Sequence, residues 1–136
     1  MNQGRHENKF KIDTDYCDID RLCNIPNSTR FTHKGLGVVI GRNVKLGENV
    51  LIYQNVTIGG IEKHFTNPEF SKYDNDIQPI IEDNVIIMTG AAILGNITLG
   101  HDSIIGAGSI VVDDVPPYSL VVGIPGRVIK KLNKEN

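Results

Sequence analysis

The chain has 136 residues and a formal net charge of −2, enough for one domain and too little charge of either sign to suggest nucleic acid or an anionic membrane as partner. No apolar run approaches the length of a membrane span, and the polar N-terminus does not read as a secretory signal. The two cysteines, Cys17 and Cys23, have the option of pairing, but free thiols in a cytoplasmic chain are the expectation, and no metal-ligand cluster surrounds them.

In chain order, residues 1–27 read as a polar, irregular N-terminal segment with Pro26 near its end. A six-residue beat then sets in at Ile40, Leu46, Ile52 and Ile58. Residues 61–79 break it with a polar and aromatic insert, which reads as a loop thrown out of the structure. The beat resumes at Ile81, Ile87, Ile93, Leu99, Ile105 and Val111. Four residues after these aliphatics sit smaller or β-branched partners: Val44, Val50 and Val56, then Val85, Ala91, Ile97, Ser103, Ser109 and Val115. Pro116-Pro117 stops the pattern, and Val121–Ile129 forms a last strand-like piece followed by a basic tail.

A period of six fits neither a helix nor a half-buried strand, whose side chains recur at 3.6 and 2 residues. It fits a short strand and a bend, repeated, with three hexads closing a triangular coil of about 18 residues. The first residue of each hexad then points inward along a flat face. The fifth points inward near a corner, where only a small or branched side chain fits. Corners favour residues that tolerate positive φ, and Gly41, Asn43, Gly47, Asn49, Asn55, Asn84, Asn96 and Gly100 recur there. A β-sandwich would alternate with period two instead. The expected fold is all-β: a parallel β-helix of hexapeptide repeats over residues 28–132, with one extruded loop and a short C-terminal tail.

The chemistry falls at the irregular places. His33 precedes the settled beat, beside glycines that let a ligand approach the backbone, and its ordinary pKa of about 6.5 suits a general base. Asp18 and Asp20 lie roughly one coil upstream, so either is positioned to orient it. His64 sits in the insert, and His101 follows Gly100 at a corner and reads as solvent-facing. Gly106-Ala107-Gly108-Ser109 offers small residues and backbone N–H groups to an extended cofactor arm, and Arg127, Lys130 and Lys131 are suited to phosphates.

Four stretches together carry a resemblance. They are Thr32–Gly41, Ile52–Gly60, Gly90–Ile97, and Ile105–Val111 with Gly123–Ile129. Over about residues 18–132 the chain resembles the hexapeptide-repeat acyltransferases of the left-handed β-helix class, in particular serine acetyltransferases and sugar acetyltransferases of bacterial surface-polysaccharide synthesis. The resemblance implies a homotrimer with sites between prisms and acetyl-CoA as co-substrate along the outer wall. It makes His33 the catalytic base and Asp18 its orienting partner. It sets Ala91, Gly106, Ala107 and Arg127 beside the CoA, and Lys130 and Lys131 near its phosphates. His64 in the insert, with Asn55 and Gln78, is expected on the acceptor side.

The chain departs from serine acetyltransferases in two places. They carry a helical N-terminal domain where this chain has a short polar leader, and Asp-Arg-His-Pro where it has Asp76-Ile77-Gln78-Pro79. Without that Arg and His, groups suited to a carboxylate are missing. The expectation is therefore O-acetyl transfer to a hydroxyl of a sugar or sugar nucleotide, with serine as the alternative acceptor. A zinc carbonic anhydrase would need three His around one metal, and His33, His64 and His101 show no close-spaced pair. A non-catalytic scaffold of the same architecture would bind no CoA.

Overall fold

The computed structural model describes residues 12–60 and 78–133. Short strands wind into three sheets that form the faces of a prism. Face A stacks β1 (Asp18–Ile19), β3 (Val39–Ile40), β6 (Thr57–Gly59), β9 (Ala92–Leu94) and β12 (Ile110–Val111). Face B stacks β2 (Arg30–Phe31), β5 (Leu51–Ile52), β8 (Ile86–Ile87), β11 (Ile104–Ile105), β13 (Ser119–Val122) and β14 (Arg127–Lys131). Face C stacks β4 (Lys45–Leu46), β7 (Ile80–Ile81) and β10 (Thr98–Leu99). Every pairing is parallel except the last, where β14 folds back antiparallel on β13.

The two inward positions of each hexad build the core. Ile52, Ile58, Ile87, Ile93, Leu99 and Ile105 are fully enclosed, and the fifth-position residues Val44, Val50, Val56, Val85, Ala91, Ile97 and Val115 are buried with them. The other two fifth-position residues, Ser103 and Ser109, are also buried, and their hydroxyls are satisfied. Ser103 Oγ donates to the Pro116 carbonyl and accepts from the Ser119 N–H, both at 3.1 Å, and Ser109 Oγ accepts from the Gly123 N–H at 3.2 Å.

Strand register shows where the coil is regular. Val39 pairs with Thr57 and Ile80 with Thr98, each 18 residues on. Thr57 pairs with Ala92, an offset of 35: the regular 18 plus the 17 residues of 61–77. The expected loop 61–79 thus falls outside the described residues, apart from Gln78 and Pro79. Ile104 pairs with Leu120 at an offset of only 16, where Pro116-Pro117 shortens the coil. The core serines lie at that shortened turn, where their hydroxyls bond to backbone groups.

The wall starts earlier than residue 28. Asp18–Ile19 already pairs with Val39–Ile40, and Ile12 is buried in the core. Here the offset is 21, because the chain spends three extra residues between β2 and β3. That breaks the six-residue spacing and hides the first coil from a periodicity argument.

The corners also differ from expectation. Positive φ occurs at Asn49, Asn55 and Asn84 as expected, but also at His33, Lys34, Asp102 and Tyr118. Gly47 and Gly100 instead serve close approach: a Cβ on Gly47 would lie 2.8 Å from the Asp83 backbone nitrogen, and one on Gly100 2.8 Å from Pro117 Cα.

Candidate functional site

Both irregularities border face A. The three extra residues leave at the B/A corner, between Arg30 on face B and Val39 on face A. The chain leaves for 61–77 after Gly60 and returns at Gln78, at the A/C corner between β6 and β7. Gln78 packs its side chain where a Cβ on Gly60 would have to go, so these two residues seal the base of the insert.

The B/A excursion is a 3-10 turn at Thr32–Gly35 with non-helical backbone at His33 (φ 49, ψ 39) and Lys34 (φ 57, ψ 25). Left-handed backbone at two successive non-glycine residues is strained and persists only where the surroundings fix it. Here the Asp13 N–H donates to the Lys34 carbonyl at 2.8 Å, and the Gly37 N–H to the Tyr16 carbonyl at 2.7 Å. Below, the Asn55 N–H donates to the Leu36 carbonyl at 2.8 Å. Gly35 lies against Ile12, where a Cβ would stand 3.0 Å from Ile12 Cγ2. The result is an exposed His33 imidazole on a tied-down backbone.

Asp18 opens β1 at the top of face A, exposed, in register above Val39. No hydrogen bond or ion pair joins it to His33 among the described residues. Asp20 is engaged elsewhere: Arg42 Nε lies 3.5 Å from its Oδ2, and its other oxygen accepts the Leu22 N–H at 2.8 Å. Of the two carboxylates, Asp18 is therefore the one left open beside the excursion. Burial, then the negative charges of Asp13 and Asp18, raise the Cys17 thiol pKa. Burial and then Asp20 push Cys23 up to about 11. Both cysteines are free.

Beneath His33 the B/A corner continues as a column of left-handed residues: Asn55, Gly90 and Gly108. Asn55 is exposed, and its side-chain oxygen lies where a Cβ on Gly37 would fall. Ala107 is exposed at this corner. Gly106 is buried, its N–H donating to the Val121 carbonyl at 2.7 Å, and Ala91 faces the core at 1% exposure. Arg127, Lys130 and Lys131 are exposed on β14. Arg127 Nη1 stands 3.6 Å from Asp113 Oδ2, and Lys131 Nζ donates to the Pro117 carbonyl at 2.6 Å. His64 lies outside the described residues.

His101 stands at the C/B corner, away from His33. Its Nδ1 lies 2.9 Å from Asp102 Oδ2, and its ring meets Tyr118 edge-on at 5.2 Å. Its side chain is 44% exposed, as expected of a solvent-facing corner residue, and it borders an open groove of about 530 Å³ with Lys45, Glu82 and Asp83.

Residues 78–113 match the family model described as bacterial transferase hexapeptide (six repeats). The serine acetyltransferase of Bacillus subtilis (strain 168) is 48% identical over 105 residues, covering 77% of this chain and 44% of that protein. The chain belongs to the hexapeptide-repeat acetyltransferase family. The crystal structure of the Neisseria gonorrhoeae serine acetyltransferase superposes with a TM-score of 0.77 at 35% identity, over 97% of this chain and 46% of that one. That of Brucella abortus strain S19, in complex with coenzyme A, gives 0.72 at 33% identity, over 96% and 46%. This likeness identifies the prism of this hexapeptide-repeat protein as a left-handed β-helix. The chain spans less than half the length of these relatives.

These relatives overturn the sugar acceptor and the place in polysaccharide synthesis expected from the sequence. Nearly half the residues are identical to an enzyme named for serine over three quarters of the chain. The expectation leaned on Ile77-Gln78 standing where serine acetyltransferases have Arg and His. That stretch is the edge of an insert, and two side chains there weigh less than the whole wall.

Proposed function

We propose that this chain transfers an acetyl group from acetyl-CoA to the hydroxyl of L-serine, releasing CoA and O-acetylserine, in the cytoplasm. The observation that carries the reading is the tied-down His33 excursion, set beside Asp18 and above the corner column that ends at Ala107 and Gly108, in a chain 48% identical to a serine acetyltransferase. His33 takes the proton from the serine hydroxyl as its oxygen attacks the thioester carbonyl, and Asp18 orients the imidazole and steadies its charged form. The tetrahedral intermediate collapses, the C–S bond breaks, and the sulfur leaves with the proton held by His33. The acetyl-CoA arm lies along the column at Gly106 and Ala107, with Arg127, Lys130 and Lys131 on the side of its phosphates. Asn55 and Gln78 border the acceptor on the two edges of face A, and His64 belongs to the insert between them in sequence. A homotrimer covers that edge.

The test is thiol release from acetyl-CoA with L-serine, L-alanine or no acceptor, with the product identified by mass spectrometry. O-Acetylserine should form with serine alone. His33→Ala should lower kcat by about 10²–10⁴-fold with KM for acetyl-CoA little changed. Equal thiol release with serine and alanine would overturn the acceptor, and near-full turnover by His33→Ala would overturn the base.

A further inference from the structure

One side chain outside the reacting groups ties the His33 excursion to the wall below. The Thr32 hydroxyl donates to Gln54 Oε1 at 2.9 Å, and the Gln54 backbone N–H donates back to Thr32 Oγ1 at 3.1 Å. The Gln54 carbonyl in turn accepts from the Thr89 hydroxyl at 3.1 Å and from the Gly90 N–H at 3.2 Å. The Thr89 carbonyl accepts the Gly108 N–H at 2.9 Å. Thr32 adjoins His33 in the chain and Gly108 adjoins Ala107, so a continuous hydrogen-bonded ladder runs from the base to the wall where the CoA arm lies. Gln54 is its branching residue, and it is half-buried.

The excursion needs such a clamp. Its far end is held backbone to backbone, through Leu36 and Asn55. Its near end, at Thr32, is fixed by the reciprocal bonds to Gln54. Between these anchors the Lys34 carbonyl accepts the Asp13 N–H at 2.8 Å and holds the backbone just after His33, so the Thr32 bonds set the side from which the chain enters it. Small displacements of a base from its substrate proton are costly, because proton transfer requires hydrogen-bond distance in the reacting complex.

We propose that Gln54 is a positioning residue for His33: its amide oxygen clamps Thr32 and so sets the height and direction of the imidazole, without touching substrate. This rests on the reading of His33 as the base.

The experiment uses the full chain. Gln54→Ala removes the acceptor, whereas Gln54→Glu keeps an oxygen for the Thr32 hydroxyl. Gln54→Ala should lower kcat about tenfold, the scale of one hydrogen bond, with KM for acetyl-CoA unchanged, and Gln54→Glu should restore it to within about twofold. In a His33→Ala background Gln54→Ala should have no further effect, since a residue acting through another is silent once that other is gone. Without reference to activity, the Leu36 amide, which donates to the His33 carbonyl at 3.1 Å, should lose about tenfold of its hydrogen-exchange protection in Gln54→Ala and regain it in Gln54→Glu. Thr32→Val and Thr32→Ser form a second pair on the other partner, with Val reproducing the loss and Ser retaining function. Unchanged kcat in Gln54→Ala, an equal loss with and without His33, or unaltered Leu36 protection would each overturn the proposal. If His33→Ala itself turns over normally, the base assignment fails, and the exchange measurement still decides whether Gln54 fixes the excursion.

Discussion

At the scale of single residues, the environments of His33 and Cys23 differ in kind. His33 is exposed on strained backbone, with hydrogen bonds on both flanks but none from its ring among the described residues. Cys23 is 4% exposed, its Sγ facing the Val44 carbonyl at 3.4 Å, and its thiol pKa is raised from 9.0 to about 11. The consequence for stability has a definite sign. Between pH 9 and 11 the unfolded chain loses this proton while the folded chain keeps it, so stability falls as pH rises through that window and is fully present below it. Two units correspond to an upper bound of about 3 kcal/mol. Chemical denaturation at pH 8 and pH 10.5 should show a steeper loss for the native chain than for Cys23→Ala, in which only the other alkaline groups titrate. Identical slopes would mean that burial does not hold the proton. The thiol should also resist alkylation at pH 8 while the chain is folded. Neither the shift nor the Gln54 clamp was legible in the sequence. Cys23 and Asp20 are neighbours only through the turn between them, and Thr32 meets Gln54 only because the first coil runs 21 residues instead of 18.

At the scale of the element, the hexad faces were legible and the corners only partly so. An inward position is dictated by volume and polarity, which the side chain itself declares, so Ile40 to Val111 could be placed by counting. A corner is dictated by backbone angle and by what the next coil brings against it, and the second of these is absent from a local reading. Gly100 shows the difference. It was expected to supply positive φ, yet its role is to leave room for Pro116-Pro117 as the coil shortens. Gly100→Ala should therefore drive a methyl group into backbone and cost about 1–3 kcal/mol. Gly59 is the control: nothing lies within 4 Å of a Cβ there, and Gly59→Ala should stay within about 0.5 kcal/mol of the native chain. Equal losses in thermal or denaturant unfolding would show that Gly100 matters for some reason other than contact. The same logic explains Ser103 and Ser109, which looked like small fillers of the inner lattice and serve also as hydrogen-bonding partners for backbone displaced by the 16-residue coil.

At the scale of the whole molecule, the prism has apolar surface on its outside as well as its inside. The outward residues of face B form a continuous register column of Leu51, Ile86, Ile104 and Leu120, all half-buried. Around the B/A corner, Leu36 and Val39 add exposed aliphatic area beside His33. Parallel sheets are rarely left uncovered on either face, and contiguous apolar strips on a small protein mark contact surfaces. The strip runs along the same corner as the proposed acetyl-CoA column, so a second copy seated there would enclose the reacting groups and exclude water from them. The expected mass in solution by light scattering is about three times 15.0 kDa. Ile86→Glu tests the placement because its side chain points out of the wall, and the neighbouring core position, Ile87, is untouched. A buried, unpaired carboxylate at an interface costs several kcal/mol, enough to dissociate a modest contact. The variant should therefore appear near the monomer mass, keep its β spectrum, and lose acetyl transfer at concentrations where the native chain is active. If it stays assembled and active, the copies meet on another face and the strip serves something else.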